Sequence, residues 1–287
     1  MSRARRRGHP AWHCAAACLE FPRSATPAVA PRWYSSVVGQ PRRALATATA
    51  ALAACGALAA LGGCHDQHWL TYPWDDRRIL CSHPIDDISH DAAWELVEDQ
   101  MQLAEVTRSV LLLHAHGPGT TISFAGIERV LDMADDHHLA FLTFRELDPA
   151  ATPRAGLALA FDDNAIDGWF GIRDQLAAHD AHVTFFVTRW ATRSDAERAE
   201  LRTLAGDGHD VEPHSVAHLH APDYVRDHGL AAYLAGEVQP SIDGLVEAGY
   251  PPPDTYAFPF GESTDELDAA LLAIVPRVRV SPGSCPY

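Results

Sequence analysis

Two short stretches of this sequence carry side chains that could bind a metal ion and activate water. In "AFDDN" the adjacent carboxylates Asp162 and Asp163 end an apolar run, and in "HSVAH" the imidazoles of His214 and His218 are four positions apart. Neighbouring side chains of extended backbone point to opposite sides, so one carboxylate could ligate a metal while the other faces a substrate. Two imidazoles and one carboxylate suit zinc and similar divalent ions, and they leave a position open for water.

Each stretch also has a purely structural interpretation. The two carboxylates could cap the helix that is predicted to follow them, and a single histidine on a polar helix is common. The second alternative is weakened because residues 208–220 contain four histidines. His214 and His218 are predicted to lie on one helical turn and to face the same way. The two motifs together therefore favour a metal site.

A third stretch, "YAFPFGEST" at 256–264, has the pattern of a strand, a turn with Pro259 and Gly261, and a helix start. Such a turn exposes backbone N–H groups that could face a developing oxyanion. The structural alternative is an ordinary connection in which Ser263 or Thr264 caps the helix.

Apolar runs alternate with amphipathic stretches from about residue 79 to the C-terminus, which predicts alternating strands and helices. Such alternation predicts a parallel sheet or barrel of βα units with its site at the C-terminal ends of the strands. The predicted strands are 109–114, 140–144, 156–161, 182–188, 255–258 and 277–280, and the predicted helices are 91–106, 124–138, 165–178, 194–206, 230–248 and 264–274.

The composition is that of an acidic globular protein. Of its 287 residues 47% are hydrophobic, which is enough for one large core or two smaller ones. The 22 Lys and Arg against 38 Asp and Glu give a formal net charge of −16. This charge disfavours nucleic acid and anionic membranes as partners, and a neutral glycan or small molecule fits better.

The beginning of the chain has the layout of an export signal. Residues 1–43 carry eight arginines against the single acid Glu20, and residues 44–63 carry no charge. The sequence "LGGC" that ends at Cys64 resembles the lipobox of bacterial lipoprotein signal peptides. This resemblance implies that residues 1–63 are a basic head and signal peptide, that Cys64 is lipidated, and that a tether extends over 64–78. The alternative is a weakly inserting transmembrane anchor over 44–63.

Export would place the remaining chain in the periplasm or on the cell surface, as a lipoprotein held to the membrane only through the lipid on Cys64. An oxidising compartment would allow a disulfide between Cys81 and Cys285, the two cysteines that remain. The alternative is that these are two unrelated buried thiols.

The motifs "AFDDN", "HSVAH" and "FPFG" occur in the order and approximate spacing of the NodB-like polysaccharide deacetylases, carbohydrate esterase family 4. The resemblance covers about residues 79–287. It implies a distorted (β/α) barrel with one divalent metal ion, for which zinc is the first candidate. The implied activity is the removal of N-acetyl or O-acetyl groups from a polysaccharide or cell-wall glycan. The expected partner is thus an acetylated glycan, with no nucleic acid, and the chain is expected to be a monomer.

The resemblance also assigns roles to single residues. Asp162 matches the general base and Asp163 the metal-binding carboxylate, and His214 and His218 match the two histidine ligands. The backbone N–H of Phe260 matches the oxyanion donor in the turn.

Three features depart from the family pattern. Asn164 stands where the family has glycine, and Ala257 stands where an arginine usually orients the catalytic aspartate. The last family motif is a strand ending in Leu-x-His that supplies the acid. It does not follow "RVRVSPGSCPY", but "LLLHAHGPG" at 111–119 resembles it.

The early position of this histidine strand suggests a circular permutation. Residues 79–147 would supply the family's C-terminal portion, and 148–155 would join the former ends. The permutation predicts that "RILCSHP" lies beside "RVRVSPGSC", so that the two cysteines can form a bridge. The alternative is an extra strand placed before the first motif.

His116 is the first candidate for the catalytic acid and His114 the second. Both lie on the same face of the strand, and His116 is nearer to its C-terminal end, where barrel sites form. Each could instead be a satisfied histidine of the core.

Two other functions stay open. Ala257 favours a catalytically silent surface lipoprotein that binds a metal or a glycan. A different metal hydrolase, such as an amidase of cell-wall peptides, is disfavoured by the double aspartate at the end of a strand.

Overall fold

The structure is a computed structural model that describes residues 70–286. The predicted head, signal peptide and lipidated Cys64, together with the alternative membrane anchor over 44–63, lie outside these residues. Within the described part of the chain, no helix has both the length and the apolar composition needed to cross a membrane.

The described residues form ten strands in two sheets. The strands are β1 (Thr71–Tyr72), β2 (Ile79–Cys81), β3 (His83–Pro84), β4 (Val110–Ala115), β5 (Ala140–Phe141), β6 (Gly156–Asp163), β7 (Thr184–Val187), β8 (Asp210–Pro213), β9 (Thr255–Ala257) and β10 (Arg277–Val280). The larger sheet has the order β1-β4-β6-β7-β8, with β3 on β4 and β5 on β6, and the smaller sheet has the order β2-β10-β9. All pairs are parallel except β1 with β4.

Helices follow most of the strands, as predicted. They are α1 (Trp94–Thr107), α2 (Phe124–Asp136), α3 (Ile166–Gly171), α4 (Arg173–Ala178), α5 (Asp195–Gly206), α6 (Ala221–His228), α7 (Leu230–Tyr233), α8 (Gln239–Glu247) and α9 (Asp265–Leu271). The predicted helix over 165–178 is divided into α3 and α4, and the one over 230–248 is divided into α7 and α8 by a π-helical turn. The side chain of Ser194 caps α5 by accepting the N–H of Glu197, which reciprocates at the Ser194 N–H.

Residues 79–84 close the two sheets into a distorted barrel. The first part of this segment, β2, pairs with β10, and its second part, β3, pairs with β4. On the opposite side β8 and β9 lie next to each other, and the N–H of Asp254 donates to the carboxylate of Glu212 at 3.1 Å. The predicted α/β fold with a distorted barrel is confirmed.

Alternation along the strands separates the inside of the barrel from the outer core. The inward cluster contains Val110, Leu112, Ala158, Ala160, Phe144, Phe186 and Leu80. The residues between them, Leu111, Leu113, Leu157 and Leu159, belong to the cluster that packs against the helices. The next inward positions on β4 and β6 are His114 and Asp162. These polar groups therefore lie next to the apolar interior of the barrel, on the side of the C-terminal ends of the strands.

Residues 70–78 were expected to belong to the tether, but they pack into the domain. β1 pairs antiparallel with β4, and Leu70, Tyr72 and Trp74 are buried. The indole N–H of Trp74 donates to the carbonyl groups of Arg108 and Arg154 at 3.0 and 2.9 Å. The charged residues of this segment made it look like a linker, whereas its aromatic residues fill the barrel at the N-terminal ends of β4 and β6.

The sequence did not predict β8, because "DVEP" combines two acids with a proline. Its two carboxylates share one cation: Arg145 lies 2.6 Å from the carboxylate of Glu212 and 3.0 Å from that of Asp210. Burial, together with the neighbouring Asp210, raises the pKa of Glu212 well above its usual value. The pairing with Arg145 lets a polar strand occupy a buried place in the barrel.

The predicted disulfide is present. Cys81 at the end of β2 is bonded to Cys285, with their Cα atoms 5.9 Å apart. The bridge joins residues 204 positions apart in the sequence, and it holds the C-terminal end of the chain against the strand that closes the barrel.

Candidate active site

Asp163, His214 and His218, here called the metal triad, converge at the C-terminal ends of β6 and β8. The Nε2 atoms of His218 and His214 lie 3.0 and 3.5 Å from Oδ1 of Asp163. Nδ1 of His214 donates to the carbonyl oxygen of Ala257 at 2.8 Å. This bond fixes the ring and leaves the lone pair of Nε2 for the site. Burial raises the pKa of Asp163, but hydrogen bonds with His214 and His218 outweigh it and hold that pKa far below its usual value.

The donor set of the metal triad fits a divalent ion such as zinc. Its three ligand atoms lie within 4.8 Å of one another, and two imidazole nitrogens with one carboxylate oxygen leave a fourth position for water. Among residues 70–286 one further group has comparable spacing, formed by Glu128, Asp132 and His179. Both of its carboxylates are exposed, and the group lies on the helices outside the barrel.

The segment with the two histidines is not helical, contrary to the prediction. Ser215 and His218 have left-handed backbone conformations, with φ of 69° and 61°, and the N–H of His218 donates to Oγ of Ser215 at 3.0 Å. The chain thus turns sharply as it leaves β8, and this turn aims both imidazoles at Asp163, whose own φ is 83°. Non-glycine residues in this conformation are strained, and such residues often cluster at functional sites.

Asp162 points into the barrel, where Arg279 of β10 binds it. Nη2 of Arg279 donates to Oδ2 of Asp162, and both side chains are almost completely buried. Burial raises the pKa of Asp162, but Arg279, followed by His214, outweighs it and lowers that pKa. Oδ1 of the same carboxylate is buried with no hydrogen-bond partner among the described residues. Asp162 is therefore ionised at neutral pH and has one oxygen that can accept a proton.

Arg279 lies beside Ala257, the position at which the family pattern has an arginine. The two residues are register partners on the parallel strands β10 and β9, so their side chains leave neighbouring backbone positions toward the same face. The guanidinium also lies over the ring of Phe186, 5.1 Å from its centroid. Arg279 was not predicted from the sequence, although one signal was available: "RVRV" places charged residues in a strand that is otherwise apolar.

His116 lies just beyond the end of β4 and is held by Asp86. Its Nδ1 is 2.6 Å from Oδ2 of Asp86, and its backbone N–H donates to Oδ1 at 3.0 Å. Burial lowers the pKa of His116, but the hydrogen bond with Asp86, helped by the charge of Asp162, raises it to about 9. The side chain is 34% exposed. His116 is therefore a protonated group that a substrate can reach, and Asp86, which sequence analysis did not single out, holds it in place.

His114 lies inside the barrel and differs from His116 in both access and charge. Its Nδ1 is 2.8 Å from Oγ of Ser82. Burial, followed by the charge of Arg279, lowers the pKa of His114 well below its usual value. A buried neutral imidazole is a poor proton donor, so His114 is less suited than His116 to donate a proton.

Phe260 stands at the mouth of the site in the turn Pro259–Gly261. Its φ is 61°, its ring centroid is 4.7 Å from that of His218, and 59% of the residue is exposed. One cavity of about 680 Å³ is lined by every residue that the sequence predicted for the site, namely His114, His116, Asp162, Asp163, His214, His218 and Phe260. The structure thus brings together residues that lie as much as 146 positions apart in the sequence.

Comparison with known proteins supports the resemblance. Residues 150–274 match the family model for polysaccharide deacetylase. The described fold is that of this family. A candidate polysaccharide deacetylase from Bacillus anthracis superposes with a TM-score of 0.50 at 17% sequence identity, and the alignment covers 60% of this chain and 57% of that one. The family match includes the metal triad, Asp162 and Phe260, and it leaves out β1 to β5 and β10.

Two further solved structures are similar to this chain. IcaB from Ammonifex degensii has a TM-score of 0.49 and 18% identity, with 62% of this chain and 94% of that chain covered. A polysaccharide deacetylase from Bacillus cereus has a TM-score of 0.47 and 19% identity, with 60% and 56% covered. A search of the curated proteins found no match.

Proposed function

We propose that this chain is a metal-dependent deacetylase that removes N-acetyl or O-acetyl groups from a polysaccharide or cell-wall glycan. The observation that carries the proposal is the content of one cavity: a metal triad, an ionised carboxylate with an unpaired oxygen, and a protonated histidine. Hydrolysis of an acetyl amide or ester needs these three functions within reach of one carbonyl group.

The metal triad would hold a divalent ion, zinc first, which supplies Lewis acidity and lowers the pKa of water towards ~7. Asp162 takes the proton from the attacking water through its free Oδ1. Arg279 keeps this carboxylate ionised and fixes its orientation. Because Oδ2 binds Arg279, Oδ1 is the oxygen that can accept a proton from the water.

The remaining steps use groups at the rim of the cavity. The backbone N–H of Phe260 donates to the oxyanion that forms on the acetyl carbonyl. His116 gives its proton to the leaving amine or alcohol, and Asp86 stabilises the imidazolium before transfer. The roles of Asp162, the metal triad and Phe260 follow the resemblance residue by residue. The role of His116 is supported by its place at the C-terminal end of β4, and those of Arg279 and Asp86 by their contacts with Asp162 and His116.

We also infer that the domain is circularly permuted relative to the family. Residues 79–147 contain the strands that close the barrel between β10 and β6, and the family match begins only at residue 150. The loop 148–155, which would join the former ends, is mostly exposed. The arrangement agrees with an ancestral order in which β2 to β5 followed β10.

For its location we propose an exported monomer anchored through a lipid on Cys64. The disulfide between Cys81 and Cys285 supports an oxidising compartment. Mass spectrometry of the protein from its native membrane tests the anchor: the N-terminal peptide should begin at a lipidated Cys64. A mature chain that begins elsewhere would contradict it.

The test of the function combines two measurements on protein that begins at His65. Metal content and acetate release are compared for the wild type, Asp163→Ala and Asp136→Ala. The last variant removes an exposed carboxylate at the end of α2, away from the cavity. We expect one divalent ion per chain and metal-dependent acetate release from N-acetylglucosamine oligomers or peptidoglycan. Both should be lost in Asp163→Ala and kept in Asp136→Ala.

Two outcomes would contradict the proposal. Stoichiometric metal without acetate from any of these glycans would favour the catalytically silent binding protein. A wild type that binds no divalent ion would remove the basis for a metal-dependent hydrolase.

A further inference from the structure

Residues 281–285, near the end of the described chain and here called the strap, pack against the turn that carries Phe260. The N–H of Ser281 donates to the carbonyl oxygen of Gly261 at 2.9 Å, and the N–H of Ser263 donates to Oγ of Ser284 at 3.3 Å. The contact is close, because a Cβ atom added to Gly261 would lie 1.9 Å from Oγ of Ser281. The strap therefore touches the turn on both sides of Glu262.

The strap is fixed at its two ends by different means. At its start, β10 is bound to residues 79–84, which close the barrel. The N–H of Ser82 donates to the carbonyl oxygen of Val280 at 3.1 Å. At its end the disulfide joins Cys285 to the buried Cys81. The residues between are half-buried or exposed, so they bury little apolar surface that could hold the strap in place. The disulfide is thus its main anchor at the C-terminal end.

The turn needs such support. Phe260 and Gly261 are consecutive residues in the left-handed conformation, with φ of 61° and 65°. A phenylalanine is strained in this conformation, and the conformation persists only where neighbouring contacts hold it. The bond from Ser281 to Gly261 and the packing of Ser281 on Gly261 supply those surroundings.

We propose that the strap is a positioning element for the backbone N–H of Phe260, and that the disulfide between Cys81 and Cys285 holds it against the turn. The effect on catalysis rests on the proposed function; the effect on the turn does not. An oxyanion donor works only at 2.7–3.1 Å from the developing charge, and a displacement of about 1 Å can cost roughly 10²-fold in rate. A covalent bond between two residues that do not line the cavity would thereby affect the rate.

Loss of the bridge has a specific expected result. Backbone amides of residues 257–264 should exchange with deuterium at least about tenfold faster, since the turn loses its support. The kcat should fall about 10-fold to 10²-fold with little change in KM, because the donor acts on the transition state more than on the bound substrate. The metal content should stay at the wild-type value, since the strap does not contact the metal triad through any described hydrogen bond.

The experiment uses the chain from His65 with its disulfide, and the double variant Cys81→Ala/Cys285→Ala. Hydrogen exchange by mass spectrometry, metal content, kcat and KM are measured on both. The wild type treated with a phosphine reductant is a second test without any substitution. The disulfide takes up two electrons and two protons to give two thiols, and the phosphine becomes its oxide with oxygen from water.

Leu201→Ala is the matched control. It removes a buried side chain of α5 in the outer core, so it lowers the melting temperature without touching the turn. Exchange over 257–264 and kcat should match the wild type at a temperature where all the variants are folded.

Unchanged exchange over 257–264 in both the double variant and the reduced wild type would overturn the proposal, whatever the activity. Faster exchange with an unchanged kcat would overturn its catalytic part. The same acceleration in Leu201→Ala would show general loosening and would overturn it as well. Faster exchange confined to the bridge-free proteins, in a wild type that releases no acetate, would support the role of the strap and contradict the proposed function.

Discussion

Asp162 and Arg279 form a buried charge pair whose partners lie 117 positions apart in the sequence. Removing Arg279 leaves the carboxylate buried without its cation, so the pKa of Asp162 should rise and less of it should be ionised at neutral pH. We expect Arg279→Ala to lower kcat/KM by about 10²-fold, the lower end for loss of a general base. It should also destabilise the fold by ~3–5 kcal/mol, as breaking a buried pair does. Steady-state kinetics and urea unfolding measure the two effects.

The register of β9 and β10 provides the matched control. In Ala257→Arg/Arg279→Ala the guanidinium is attached at the neighbouring backbone position on β9. We expect the kcat/KM of this double variant to be at least about tenfold higher than that of Arg279→Ala. If Arg279→Ala keeps the wild-type kcat/KM, then Arg279 neither orients nor ionises the base.

The pair formed by His116 and Asp86 sets the alkaline limit of activity. The acid must be protonated to act, and the pKa of His116 is raised to about 9. We therefore expect kcat/KM to fall as the pH rises through about 9. In Asp86→Asn the limit should move down towards the ordinary histidine value of about 6.5, because the main group that raises the pKa is gone. The pH profile of kcat/KM measures this shift.

Asp87→Asn is the control, since the carboxylate of Asp87 binds Ser123 instead of His116. Its profile should match the wild type, and an unmoved limit in Asp86→Asn would contradict the assignment of His116. The same pair contributes to stability with a definite sign. Its contribution is complete below the unfolded pKa of about 6.5 and is lost as the pH rises through about 9.

At the scale of elements, the sequence predicts β4 and β6 well because their side chains alternate between two apolar environments. The motifs at the ends of β6 and β9 could also be found, since each depends on consecutive residues. The turn after β8 could not, because the spacing of His214 and His218 fits a helix as well as a loop with two left-handed residues. Partners from distant segments, such as Arg279 and Asp86, become visible only once the barrel brings the strands together.

β8 shows how a contact between elements decides whether a polar segment becomes a strand. Arg145, in the turn after β5, neutralises the fully buried Glu212. We expect Arg145→Met to destabilise the fold by about 3 kcal/mol, the low end for a broken buried pair, because the guanidinium is 32% exposed. Burial and Asp210 raise the pKa of Glu212, and the charge of Arg145 opposes them. Without Arg145 that pKa should rise further, so the folded variant should hold the proton to a higher pH than the folded wild type. The loss should therefore grow as the pH rises from 5 to 8.

Urea unfolding at the two pH values measures this prediction. Arg145→Met/Glu212→Gln should recover part of the loss, since it removes the buried charge. Arg226→Met is the surface control, because its ion pairs are exposed, and it should change stability by less than ~0.5 kcal/mol. Equal effects at Arg145 and Arg226 would show that the buried pair does not support β8.

At the scale of the whole molecule, the packing of residues 70–78 limits the length of the tether. If Cys64 carries the lipid, only residues 64–69 remain between the anchor and the domain. Six extended residues span at most about 20 Å. An anchored domain would then work on glycan close to the membrane surface, and a longer reach would need unfolding of β1.

The same packing predicts how the domain responds to truncation. A chain that begins at Ile79 lacks the buried Leu70, Tyr72 and Trp74, which together contribute roughly 5–8 kcal/mol of burial. We expect its melting temperature to lie about 10–20 °C below that of a chain that begins at His65. Trp74→Phe in the longer chain isolates the indole bonds to Arg108 and Arg154, and it should lower the melting temperature by only a few degrees, about 2–4 °C per kcal/mol lost. Differential scanning calorimetry measures all three proteins. Equal melting temperatures for the two chain lengths would mean that residues 70–78 act as a tether. The barrel would then keep its stability without the side chains that fill it at the N-terminal ends of β4 and β6.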